Sequence, residues 1–247
     1  MHVYYATCGT CDTLLRFVSC ALMVMTSEDW AILSSPTEWL NDTVIDVAQT
    51  ILFEEHPLVD SQTPAVAYAT GFDAAIVQGL QVHNDNNVHW LLSSTLRMRV
   101  EIFDSLSSGD LSENIKTQLL DKYRSLVKDG YLDVFIAPVS QQTNSFDCGL
   151  HVIANMTEIL LGGDPMSINY VEKQMRAHLL HCLKNHHFEK FPSKNRCGRK
   201  GQFKMLKVGA NEAQTTKHIK FATNVKSRGR PRQAGHQRRL PIHFNSK

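Results

Sequence analysis

Apolar residues change their period several times along the chain, and each change marks an element. Between Asn41 and Glu54 the spacing is helical, with Val44, Val47, Ala48, Ile51 and Leu52 on one face. Asn41 or Asp42 is suited to cap that helix, because a short side-chain oxygen accepts from unpaired N–H groups. Ser35-Pro36-Thr37-Glu38 is a rival start, since it reads as a capping box with Pro at the first helical position. From His56-Pro57 to Gly71 the chain is polar and reads as loop. Ala75–Val82, Val88–Thr95 and Val100–Phe103 read as strands, with Asn84-Asp85-Asn86-Asn87 as a turn between the first two. Ser112 to Val127 is helical, with Ser112 as cap and Ile115, Leu119 and Leu126 as its stripe. Leu132–Val139 is a short apolar run suited to a buried strand. A helix follows from Cys148 to Leu161, stopped by Gly162-Gly163. The last runs from Ile168 to Leu183, with Val171, Met175, Leu179 and Cys182 on one face. Residues 1–27 show no clean period, and there is no internal repeat. The order implies an α/β or α+β domain, a small mixed sheet packed with helices.

Composition adds a boundary. The 247 residues are 43% hydrophobic and 20% charged, ordinary for a globular protein with a sizeable core. Six irregularly spaced cysteines are not a disulfide framework and point to a reducing compartment. The longest apolar run, Phe17 to Met25, is too short to span a bilayer, and no Lys or Arg precedes it in residues 1–15 as a signal peptide would require. The expectation is an intracellular protein with no membrane association. The formal charge of +2 hides an asymmetry: from Ser193 onward fifteen basic residues face one acid, Glu212, for a net +14, while the remainder carries −12. That switch separates a folded body (28–192), preceded by an N-terminal extension (1–27) without a clean period, from a basic, disordered tail (193–247).

The chemistry centres on Ser140-Gln141-Gln142-Thr143-Asn144-Ser145-Phe146-Asp147-Cys148-Gly149-Leu150. A cysteine at the start of a helix sits where partial positive charge and unpaired N–H groups favour thiolate, although a lone Cys-Gly is more often a small pair opening a core helix. Gly149 would leave room for a substrate backbone. His89, in Val88-His89-Trp90-Leu91-Leu92, has the plain reading of a core histidine; Asp104, closing Val100-Glu101-Ile102-Phe103-Asp104, that of a turn initiator. Together they supply the needs of a cysteine nucleophile: a base, a carboxylate to orient it, and, from Gln142, an amide donor for an oxyanion.

The set "HW", "FDSL" and "QQTNSFDCGL", with "EWLNDTVID" (Glu38 to Asp46) upstream, resembles the cysteine proteases that process SUMO and other ubiquitin-like proteins, relatives of the adenovirus-type proteases. The similarity runs from about Trp30 to Pro192, and "MRAHLLHCL…FP" near its end resembles compact members carried by mobile elements in invertebrate genomes. It implies a papain-like fold in the chain order His-Asp-Gln-Cys. It implies Cys148 as nucleophile, His89 as general base and acid, Asp104 as its orienting partner, and Gln142 with the Cys148 backbone N–H as oxyanion donors. Trp39 and Trp90 match the walls of a narrow tunnel that admits an extended Gly-Gly tail and selects by exclusion; core packing is the alternative for either. No cofactor is implied. Ser145 stands where the family carries Gly, His151 where it carries an apolar residue, and the Trp39–His89 segment is short for the SUMO-cleaving members. The expected function is hydrolysis of a peptide or isopeptide bond after a ubiquitin-like C-terminus, by a monomer. The alternatives are a viral-type polyprotein protease, a catalytically silent ubiquitin-like-binding protein, and a DNA-tethered accessory protein of a mobile element.

Three other features bear on partners. Cys8-Gly9-Thr10-Cys11 is half of a zinc knuckle without its second pair, and His181, His186 and His187 beside Cys182 lack ligand spacing, so no metal is expected. Arg228-Gly229-Arg230-Pro231-Arg232 resembles the core of a minor-groove hook, in which a flat Arg-Pro backbone enters narrow A·T-rich DNA. The alternative is a basic tail that binds polyanions or directs nuclear import. The expectation is weak DNA contact and a nuclear location.

Overall fold

The computed structural model describes residues 25–75, 78–107, 109–198 and 201–209. Cys8, Cys11 and the Arg228–Arg232 motif lie outside the described residues. Helix α1 (Ser27–Ser34) opens with a capping box between Thr26 and Asp29. Helix α2 (Asp42–Glu55) is capped by Asn41, whose Oδ1 accepts from Val44 N at 3.1 Å while its Nδ2 donates to Asp29 Oδ1 at 2.6 Å, so the two helix starts are tied together. The rival start at Ser35 is not used. Ser35 is extended and closes α1 by donating to Ala31 and Ile32, and residues 36–41 after it are not helical.

The polar stretch after His56 is not all loop. Helix α3 (Pro64–Thr70) has Pro at its start and ends at Gly71, whose φ of 84° suits glycine. It is too short to show a period. The strands β1 (Leu80–Asp85) and β2 (His89–Ser94) form a hairpin closed by Asn86 and Asn87 at φ 52° and 61°. Val88 completes the loop, since Asp85 pairs with His89, and the two φ values are those of the central residues of a primed turn, which Asn tolerates. β1 therefore runs further than Val82. Its polar residues Gln81 and His83 are buried, and His83 lies between Gln118 and Ser93 at 3.2 and 2.7 Å, which hides the strand from a hydrophobicity pattern.

β3 (Val100–Phe103) pairs antiparallel with β2, and β4 (Tyr131–Ala137) pairs parallel with β3. The crossover between β3 and β4 carries α4 (Glu113–Lys122), capped by Ser112, and a 3-10 turn at Arg124–Leu126. Ile115 and Leu119 are buried as expected, but Leu126, 41% exposed, is not part of that stripe because the helix has already ended. Helix α5 (Cys148–Leu160) follows, then β5 (Ile168–Tyr170), helix α6 (Glu172–Asn185), β6 (Ser193–Asn195) and β7 (Lys204–Gly209). Ile168 and Tyr170 flank an exposed Asn169, a strand alternation, so the last helix begins later than its apolar content suggests.

The boundary at 192 is corrected by β6 and β7. β7 is a strand of the main sheet, order β1-β2-β3-β4-β7, and pairs antiparallel with β4. Val208 is buried and Leu206 half-buried, while Lys204, Met205 and Lys207 are exposed. β6 pairs with β5 in a second ladder. Charge composition changes at 193, but the alternation of a strand continues beneath it to Gly209, and hydrogen bonding follows the alternation. The sheet has a core on each face. Trp90, Leu92 and Phe103 pack with α2, α5 and α6; Leu91, Ile102, Val134 and Val208 pack with α4. Among the described residues no helix is long and apolar enough to cross a membrane.

Candidate active site

His89 begins β2 and Asp104 immediately follows β3, the strand beside it. The ladder brings them together: His89 Nε2 is 2.7 Å from Asp104 Oδ1. That oxygen also accepts from Leu106 N at 2.8 Å, which fixes the carboxylate as the chain turns out of the strand. With Nε2 on the carboxylate, Nδ1 is the nitrogen left for the thiol. Burial disfavours charge on His89, but the hydrogen bond to Asp104, an interaction with Cys148 and the negative charge of Asp104 outweigh it and push the imidazole up to about 10. Nδ1 has no partner at full hydrogen-bond geometry, so the contact with Cys148 is electrostatic proximity and a misaligned approach. Such contacts often tighten only when substrate binds.

Cys148 is the first residue of α5, buried and in no disulfide. Asp147 precedes it but makes no side-chain cap. Its carboxylate is turned away, to Asn144 Nδ2 at 2.8 Å and to Arg176 Nε and Nη2 at 3.2 and 2.8 Å. The N–H groups of the first helical turn therefore keep no side-chain acceptor from Asp147 and remain suited to a developing oxyanion. Asn144 Oδ1 accepts from the backbone N–H of Phe146 and Asp147, both at 3.0 Å, and this folds the loop tightly against the helix start. Ser145 is exposed at its tip with φ outside the positive range, so the turn does not require glycine there.

Gln142 is buried and anchored at both ends of its amide. Ser105 Oγ donates to Oε1 at 2.6 Å, and Nε2 donates to Asn144 O at 2.7 Å, which leaves one amide hydrogen. Its backbone N–H donates to Ser105 O at 3.0 Å, and Gln141 Nε2 donates to Asp104 O at 3.0 Å. The end of β3 and the Gln142 loop thus form one unit.

Trp39 and Trp90 line one cleft of about 400 Å³, with Leu40, Asn41, Asp42, Thr43, Asn84 and Asn87. Trp39 is 38% exposed and forms an open wall. Trp90 is almost wholly in the core, with Nε1 donating to Leu40 O at 3.3 Å, and its remaining surface lines the cleft. Gly149 is not room for a substrate. A side chain there would meet Leu40 and Ile45 at 3.1 Å, so the glycine lets α5 seat against the wall that carries Trp39.

Four residues of this arrangement carried no local signal. Arg176 on α6 bonds to Asp147, to Ile32 O at 3.3 Å and to Glu38 O, bolting the start of α5 to the segment before Trp39. Ser105, Asn144 and Glu172 hold the Gln142 loop. Arg176 lies within the "MRAHLLHCL" segment, but nothing in that segment indicates what it binds. His187 pairs with Glu55 at 2.6 Å and His181 with Asn185, and among the described residues no group of three or more His, Cys, Asp or Glu side chains could hold a metal.

The arrangement is that of a thiol hydrolase: a cysteine at a helix start, an imidazole held by a carboxylate, and an amide beside them. Residues 78–194 match the Ulp1 protease family, C-terminal catalytic domain. No curated protein sequence matches the chain. The fold is similar to the C-terminal Ulp1 protease domain solved in complex with Smt3, the yeast ortholog of SUMO, at 18% identity over 66% of this chain and 83% of that one, TM-score 0.51. It is also similar to the SUMO protease Ulp1 with its catalytic cysteine oxidised to a sulfonic acid (19%, 66% and 85%, TM-score 0.53). A third likeness is to the Chaetomium thermophilum Ulp1-like SUMO protease catalytic domain (22%, 67% and 80%, TM-score 0.50). Residues 78–194 thus match a Ulp1-type catalytic domain, and the chain is a cysteine protease.

Proposed function

We propose that this protease hydrolyses the peptide or isopeptide bond after the Gly-Gly C-terminus of a SUMO-like protein. The observation that carries the reading is the meeting of His89, Asp104 and Cys148 in one fold whose Trp39 and Trp90 line a single cleft. Cys148 Sγ attacks the carbonyl carbon of the terminal glycine. The free Nε2 hydrogen of Gln142 and the backbone N–H groups at the start of α5 stabilise the oxyanion. As the C–N bond breaks, His89 gives its proton to the leaving amine, and a thioester remains. His89 then takes a proton from water, whose oxygen displaces the thiol and restores the enzyme. Asp104 holds the imidazole in the tautomer and orientation this needs. Trp39 and Trp90 admit a tail without side chains. The enzyme acts as a monomer, and the Arg228–Arg232 segment adds weak DNA contact in the nucleus.

The test is capture and turnover. Wild type should form a covalent adduct with a SUMO C-terminal vinyl sulfone and cleave a SUMO precursor. Cys148→Ala should do neither while keeping its circular dichroism and melting temperature. Capture by a ubiquitin probe alone would move the substrate to ubiquitin. Turnover retained in Cys148→Ala would end the nucleophile assignment.

A further inference from the structure

Behind the Gln142 loop lies a residue set that the catalytic steps above do not use. Glu172, the first residue of α6, accepts from Thr143 N at 2.9 Å through Oε1 and from Thr143 Oγ1 through Oε2. Thr143 directly follows Gln142, so the peptide leaving Gln142 is held by one carboxylate from another helix. On the other side of Glu172 is His151, on the nucleophile helix α5 and wholly buried. Neither of its ring nitrogens has a hydrogen-bond partner. Nε2 lies 3.9 Å from Glu172 Oε1, just beyond hydrogen-bond reach. An orphaned, buried imidazole is costly to keep unless it does something a Leu or Val would not.

We propose that Glu172 is a positioning residue for the oxyanion-binding Gln142, and that His151 governs its hold by its charge. The proposal rests on the peptidase reading. With His151 neutral, Oε1 is free to accept from Thr143 N, and Gln142 keeps its place between Ser105 and Asn144. A proton on His151 would make Nε2 a charged donor facing that same oxygen, and would draw it off Thr143. Few other groups compete for the new charge. Asp147 is already engaged by Arg176 and Asn144, and Tyr170 presents its ring to His151 in a T-shaped contact at 5.7 Å. Burial keeps the imidazole below its usual range, partly offset by the charges of Glu172 and Asp147, so the hold is intact at neutral pH and weakens on the acid side. His89, whose value lies near 10, stays charged across that range and produces no acid limb of its own.

The experiment uses the full chain and a SUMO C-terminal coumarin amide, with iodoacetamide alkylation of Cys148 as a second readout. Glu172→Ala should lower kcat roughly tenfold, less than the loss of a whole oxyanion donor, with KM within about twofold and alkylation unchanged. Glu172→Gln, which keeps one acceptor oxygen, should recover part of the loss, and Thr143→Val should lose a smaller part. In wild type, kcat should fall as pH drops below about 6.5, and His151→Phe should flatten that limb. Wild-type kcat in Glu172→Ala overturns the positioning role. A parallel fall in alkylation overturns it too, because the effect would then run through the thiol–imidazole pair. The same acid limb in His151→Phe, or no limb in wild type, overturns the switch. A wild type that hydrolyses no Gly-Gly amide fails the peptidase reading and takes this proposal with it, whereas an active wild type with indifferent variants fails the proposal alone.

Discussion

The two halves of the active site are held by different physics. His89 and Asp104 stand at the ends of neighbouring strands, and the β2–β3 ladder sets their separation. Gln142 and Cys148 stand on a loop and a helix start, and side chains from elsewhere hold them: Ser105, Asn144, Glu172 and Arg176. In the strand half the backbone does the positioning, so the side chains are free for chemistry. In the loop half the positioning is itself side-chain chemistry, and the bonds to Ser105, Glu172 and Arg176 span 29 to 37 residues of sequence. Substitutions in the first half should therefore act on stability through the charge of the pair, and so depend on pH, whereas substitutions in the second should disturb the placement of the loop itself.

The largest effect is expected from Asp104→Ala. Turnover should fall roughly 10²- to 10⁴-fold, the range of a lost acid–base contribution, and unfolding free energy at neutral pH should fall too, because the charged His89 loses the carboxylate that favours its charge. Without the carboxylate, burial is no longer outweighed to the same extent, and the imidazole should fall from about 10 back toward 6.5. The linkage has a definite sign. A raised folded-state value means that the charged His89 stabilises the fold fully below 6.5 and that this contribution is lost as pH rises through 10. Wild type should lose stability across that window relative to Asp104→Ala, read by urea denaturation at several pH values. Parallel curves would show that the pair is not linked in this way.

Gln142→Glu comes next, at roughly 10²- to 10³-fold in kcat. Glutamate keeps an acceptor for Ser105 and removes the amide hydrogen proposed to bind the oxyanion. Gln142→Ala removes both. Equal losses in the two variants would assign the effect to the donor, and a much larger loss in alanine would assign it to the anchoring of the loop. Steady-state kinetics on the same coumarin amide decides between them.

This contrast also explains what the sequence disclosed. The strand half was legible because a histidine opening one strand and an aspartate closing the next are local patterns, and pairing does the rest. The nucleophile helix was legible from its apolar run and the Gly162-Gly163 stop. Arg176 was not. An arginine in an amphipathic helix reads as a solvated residue until the carboxylate and two carbonyls it binds are brought to it by the fold. Gly149 misled in the opposite direction, since a glycine beside a nucleophile suggests substrate room and instead marks close packing on Leu40 and Ile45. β7 was hidden by charge: its lysines carry the basic composition of the tail, and only the alternation of Leu206 and Val208 betrays a strand.

Arg176→Ala sharpens the comparison from the loop side. It leaves Asp147 buried with Asn144 as its remaining polar partner, and it unties Ile32 and Glu38 from the nucleophile helix. Breaking a buried pair in this manner costs about 3 kcal/mol, and turnover should fall with it because Cys148 follows Asp147 directly. Arg176→Lys should recover little, since an ammonium cannot reach the carboxylate and two carbonyls in the planar array that a guanidinium offers. Lysine at wild-type stability would mean that charge alone, and not geometry, holds the loop half together.

The smallest expected effect lies outside both halves. Val208 on β7 packs in the core on the α4 side of the sheet, away from Cys148 and His89. Val208→Ala should cost about 1–2 kcal/mol of unfolding free energy, the loss of two buried methyl groups with an edge strand able to relax. kcat and KM should not change, because β3 and β4 keep their own pairing and neither contact of Asp104 nor of Gln142 reaches β7. Truncation after Pro192 is the stronger form of the same test. If residues beyond 192 were only a tail, the truncated chain would melt as the full one does. With β6 and β7 completing two ladders, it should expose one edge of β4 and lose far more stability than Val208→Ala, while the strand-borne pair remains set by a ladder the cut does not touch.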